Sequence, residues 1–118
     1  MKSVAVHSAG VVEGVRAGVF APDLDPPPAD FAGLTERVAK ARETLTGVTE
    51  AEMEGFIGQP MRFEFRDYRM DFTAEDFLLS FSQPNFYFHA ATAYDILRMK
   101  GVPVGKRDFM GAVRLKAG

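Results

Sequence analysis

From Phe86 to Leu97 the chain reads FYFHAATAYDIL, with Asp95 as its single formal charge. Wound into a helix, Phe86, Phe88, Ala91, Tyr94, Ile96 and Leu97 point in nearly all directions. A helix that is apolar all round is buried all round. This requirement constrains the fold more than any other feature. Three helices in so short a chain cannot easily surround it, so either a β-hairpin covers it or a second copy of the chain does.

The other elements follow from periodicity. Val4, Val11, Val15 and Val19 roughly keep a 3.6-residue spacing, which predicts a helix over about 2–18. Gly10, Gly14 and Gly18 recur along one of its faces, where another backbone is expected to approach. FAPDLDPPPAD is a stiff linker, because consecutive prolines forbid a helix interior. Asp30 caps a second helix whose apolar stripe is Phe31, Leu34, Val38, Ala41 and Leu45, and which Gly47 ends. TEAE at Thr49–Glu52 has the spacing of a capping box and starts a short helical turn.

From Met61 to Thr73 the period changes to two. Phe63 and Phe65 alternate with Arg62, Glu64 and Arg66, and Tyr68, Met70 and Phe72 alternate with Arg69 and Asp71. That pattern predicts a hairpin with one apolar face, which needs a helix or another subunit against it. TAED at Thr73–Asp76 starts the last helix, expected to run to about Lys100 with a kink near Phe81–Pro84. Gly101 caps it, Pro103 follows, and the remainder is expected to be an extended tail.

Composition narrows the function classes. A chain of 118 residues supports a single domain, 1–118, with a core that needs no staples. Without cysteine there are no disulfides, zinc fingers or thiol catalysis. The net charge of −2, mixed along the chain, leaves no basic footprint for nucleic acid. No apolar run reaches the roughly 18 residues of a membrane span. The apolar N-terminal run is broken by His7 and Glu13, so it is not read as a signal peptide. The expectation is a cytoplasmic protein without nucleic-acid or membrane partners.

Little of the chain carries chemistry. On the last helix Ser82, Asn85, His89 and Thr92 share a face, and on the first helix His7 lies with Ser3 and Gly10. Histidines on facing helices of a bundle are where metal sites are built, and neutral imidazole is the commonest ligand. Position 93 is alanine and position 11 is valine, so neither histidine heads an H-x-x-x-H pair. His89 therefore reads first as a buried histidine hydrogen-bonded to Asn85 or Thr92, and second as a metal ligand with His7. Ser82, Asn85 and Thr92 are candidates for lining a pocket.

PNFYFH at Pro84–His89, TAYDILR at Thr92–Arg98 and GKRDF at Gly105–Phe109 resemble the C-terminal signature of an uncharacterised bacterial family of unknown function. That family is grouped with the DinB/YfiT-like four-helix bundles. MRFEF and MDFTAEDFLL look like its hairpin and last helix, and VAVHSAGVVEGVRAGV looks like its second helix. The resemblance implies an all-α, up-and-down bundle with an inserted β-hairpin. It lacks the family's first helix and is expected to be completed by a homodimer. The wider DinB-like group holds a divalent metal through one histidine on its second helix and an H-x-x-x-H pair on its fourth. His7 and His89 fall on the corresponding elements, with Ala93 in the place of the remaining histidine. Two functions are expected from this. One is a non-catalytic dimeric assembly or small-ligand module. The other is a zinc- or nickel-dependent hydrolase or thiol transferase whose histidine site is degenerate or completed across a dimer.

Overall fold

Gly18, at φ +74°, stops the first helix and donates its backbone N–H to Gly14 O and Val15 O. That helix, α1 (residues 2–17), carries one π turn at Val6–Gly10. The computed structural model describes residues 2–116. Directly after Gly18 comes β1, Val19–Phe20, which pairs in parallel with β2, Pro60–Phe65. Val19 lies opposite Arg62 and Phe20 opposite Phe63, and Arg62 N–H donates to Gly18 O at 3.0 Å. β2 turns through Arg66 and Asp67 into β3, Tyr68–Thr73, its antiparallel partner.

The strand order β1-β2-β3 corrects the expectation of an all-α bundle with an inserted hairpin. The hairpin is instead two-thirds of a mixed sheet whose third member comes from the end of α1. A parallel strand of two residues has no period to read, and it sits where the linker was expected to begin.

Asp30 caps α2 (Phe31–Thr46) by accepting Gly33 N–H at 2.8 Å, as expected. Thr49 caps the short α3 (Glu50–Phe56) by accepting Glu52 N–H at 3.2 Å. Arg16 ties α3 to α1 with a forked grip on Glu52, Nε to Oε1 at 2.6 Å and Nη2 to Oε2 at 3.0 Å, and also reaches Glu13. These partners hold the Glu52 carboxyl below its ordinary range.

The last long helix, α4 (residues 74–99), opens at Ala74–Asp76, passes through a π turn at Phe77–Ser82 and continues as Gln83–Met99. The distortion expected near Pro84 is that π turn, one register slip upstream of the proline. Gly101, at φ +86°, closes the helix, and Val102 N–H bonds back to Leu97 O at 3.1 Å. The following segment is not a plain extended tail. It contains α5, Lys106–Met110, drawn back by Tyr94, whose hydroxyl donates to Gly105 O and whose ring meets Phe109 edge-on at 5.1 Å. Ala117 and Gly118, the end of the expected tail, lie outside the described residues.

The core sits where α1, the sheet and the start of α4 meet. Val11, Val15, Phe20, Met61, Phe63, Ala74 and Phe77 form it, and Phe77 is 0% exposed. Burying a phenylalanine of this kind stabilises by about 1.5–3 kcal/mol. Phe77 packs on Phe20 at 5.7 Å, Phe72 at 5.7 Å and Phe81 at 5.4 Å, so the hairpin's apolar face rests on a helix of its own chain.

Beyond this junction the helices splay. The radius of gyration is 15.9 Å, against about 13.5 Å for a compact chain of this length. The helix expected to be buried all round contains no buried residue after Ser82, and Phe88 and Met99 are 67% and 76% exposed. α1 covers one side of it and α5 packs on Tyr94; among the described residues much of the rest is exposed. Among the described residues no helix is long and apolar enough to cross a membrane.

Candidate functional site

His7 and His89 meet across the α1–α4 contact. Their rings stack at 5.6 Å between centroids and 14° between planes. His7 also leans on Phe20 at 5.8 Å, and the edge of Phe88 meets His89 at 5.4 Å. Two π turns lie close to this contact. His7 lies in the turn of α1, and Ser82, 3% exposed, ends the turn of α4. Ser82 Oγ donates to His7 O at 3.4 Å, linking the two distorted segments directly. A π turn shifts every later side chain around the helix, and such turns recur at functional sites.

His7 Nδ1 is buried with no hydrogen-bond partner among the described residues. Burial lowers the His7 pKa from its ordinary 6.5, and the neighbouring His89 lowers it further. His7 is therefore neutral at pH 7, with one ring nitrogen a donor and the other an acceptor.

The other expected residues divide. Ser82 joins His7 on the wall of an open cleft of about 540 Å³ between α1, the α2–α3 connection and α4. Val12, Leu45, Met53, Leu78 and Tyr87 supply much of its apolar wall. Asn85 Nδ2 instead donates to Phe81 O at 2.7 Å, and Thr92 Oγ1 to Phe88 O at 2.7 Å, so both bond to their own helix rather than to His89. Neither lines the cleft. Sequence reasoning missed the apolar wall because it is assembled from separate segments. Leu45 was visible as part of a stripe, but nothing local marks Val12 or Met53 as cleft residues.

Residues 2–110 match the domain of unknown function DUF1993. The chain belongs to the DUF1993 family. This member is also similar to a DinB family member from Shewanella denitrificans of known crystal structure, at 30% identity and a TM-score of 0.63. The match covers 99% of the DUF1993 chain and 62% of the other. No curated protein shows significant similarity.

A catalytic zinc usually takes three protein ligands and keeps one open position. Among the described residues of this DUF1993 protein there is no group of three or more His, Cys, Asp or Glu that could hold a metal ion. His7 and His89 make two, and Ala93 offers none. The donor set of one chain thus falls short of the DinB-like pattern.

Proposed function

We propose that this DUF1993 protein is a small-ligand-binding module, and that the cleft beside His7 is its binding site. One observation carries the reading: His7, whose imidazole has a buried nitrogen without a partner among the described residues, is one of the residues lining a largely apolar cleft. An unmet hydrogen bond of this kind costs about 1–3 kcal/mol, which a ligand can return by supplying the missing partner. Small-molecule sites are typically apolar clefts of about 300–1,000 Å³ with a few placed polar groups, and this one fits that description. The ligand class that suits it is neutral and largely apolar, with one hydrogen-bonding group for His7. The neutral imidazole offers no charge to attract an ionised ligand.

The test is a fragment screen read by protein NMR. Neutral amides and alcohols on an apolar body should move the resonances of His7, Val12 and Leu78. Met53→Trp, which places bulk in the cleft from a half-exposed position, should abolish those shifts while the fold is retained. If such fragments leave the His7 ring signals unmoved, the reading fails.

A further inference from the structure

β3 is the outer strand of the sheet, and among the described residues no strand pairs with its far side. Which of its backbone groups face outward follows from the register. Ala74 N–H bonds to Gln59 O at 2.8 Å, so the hydrogen-bonded pairs of the β2–β3 ladder alternate from there through Met61–Phe72, Phe63–Met70 and Phe65–Tyr68. Arg62 N–H points the other way, to Gly18 O. Its partner Asp71, and likewise Arg69, must therefore turn N–H and C=O toward the open edge.

The side chains along this edge read Tyr68, Arg69, Met70, Asp71, Phe72, a sequence that is self-complementary about Met70. We propose that β3 pairs antiparallel with β3 of a second copy, with Met70 on the twofold axis. Arg69 then lies opposite the partner's Asp71, and Asp71 opposite the partner's Arg69. Each pair is of the outward-facing type and exchanges both backbone hydrogen bonds. Shifting by one residue would oppose an outward group with an inward one, which an antiparallel ladder does not allow. Shifting by two in either direction places Arg69 against Arg69 or Asp71 against Asp71, and directly opposed like charges destabilise a sheet. The charge pattern thus selects one register.

The existing ion pairs extend that selection. Within one chain Asp71 pairs with Arg62 at 2.6 Å and Arg69 approaches Glu64 at 3.7 Å. In the paired sheet, the row across both copies runs Glu64, Arg69, the partner's Asp71, the partner's Arg62, alternating in sign throughout. On the other face Tyr68, 59% exposed, comes to lie against the partner's Phe72. This joins the two three-stranded sheets into one continuous sheet. It does not depend on the cleft having a ligand.

Charge swaps read by sedimentation test the pairing. Wild type should approach about twice the 13.0 kDa chain mass as concentration rises. Arg69→Asp and Asp71→Arg should each remain monomeric, because each opposes like charges across the axis. A 1:1 mixture of the two should recover the dimer, since both carboxylates of the first variant's edge then face guanidinium groups of the second. A second route leaves the charges untouched. The chain has no cysteine, so Met70→Cys should cross-link to its own mate under mild oxidation, the Cα separation of such a pair being about 4.5 Å. Tyr68→Cys should not cross-link, because its mate lies about 13 Å along the ladder. A dimer unaffected by either charge swap places the interface elsewhere and overturns the proposal, as does a Met70→Cys protein that stays uncross-linked.

Discussion

A methyl group placed on Gly14 would stand 3.0 Å from Phe20 Cβ and 3.3 Å from Val19 O. The glycine is what lets β1 double back against α1. Gly10, one turn earlier, meets only Val6 Cγ1 at 4.0 Å. Gly14→Ala should therefore destabilise by about 1–3 kcal/mol through overpacking. Gly10→Ala should stabilise by about 0.5–1 kcal/mol, from helix propensity alone. Urea denaturation of the two variants should move the midpoint in opposite directions.

His7 makes stability depend on pH. Its folded pKa lies below the ordinary 6.5, because burial and then His89 disfavour the charged ring. Above 6.5 the ring is neutral in both states and exacts no penalty. As pH falls below 6.5 the unfolded chain takes up a proton that the folded chain refuses, so stability declines until the lower folded pKa is passed. The melting temperature of wild type should drop across that window. His7→Phe keeps a ring against Phe20 and should flatten this part of the profile.

Asn85 Nδ2 donates to the carbonyl of Phe81, four residues back on its own helix and just before Pro84. Asn85→Ala loses a part-buried hydrogen bond worth about 1 kcal/mol, partly offset by alanine's better helix propensity. The expected fall in melting temperature is about 2–4 °C, measurable by circular dichroism. An unchanged melting curve would show that water serves Phe81 O equally well.

Arg66 leads the hairpin turn at φ +55°, a region that L side chains enter at a cost of about 1–2 kcal/mol. A positive φ at the first central position of a two-residue loop is where glycine is favoured. Arg66→Gly should raise stability by about 0.5–1 kcal/mol, less whatever is lost where the guanidinium lies 5.2 Å from the centre of the Phe65 ring. Chemical denaturation would measure it. A loss of stability would mean that the Arg66–Phe65 contact outweighs the backbone strain.

The helices other than α5, their caps at Asp30, Thr49 and Thr73, and the hairpin were legible because each is announced by residues within a turn of one another. The strained turn was half legible. The hairpin was legible from its alternation, but nothing in Arg66-Asp67 marks which residue takes the positive φ, and the structure gives it to Arg66. β1 was illegible, since its two residues are defined only by Arg62 and Phe63 far along the chain. The site was legible as two histidines on facing helices, and the structure brings them together. Their shared partners were not: Asn85 and Thr92 sit on the right face but bond to their own helix. The Arg16–Glu52 grip was equally hidden, because surface charges of either sign are everywhere and only the fold selects a pair.

The parallel pairing of Val19–Phe20 with Arg62–Phe63 has a kinetic side. The hairpin and the start of α4 are neighbours in the chain and can assemble early, but the sheet is finished only when a long intervening segment closes into a loop. Closure entropy then falls on the rate of folding more than on stability, and doubling the length of such a loop costs only about 0.6 kcal/mol. A glycine-serine insertion between Asp25 and Pro28 should accordingly slow refolding in stopped-flow experiments while leaving the unfolding limb nearly unchanged. A faster unfolding limb would instead mark the linker itself as part of what holds the native state closed.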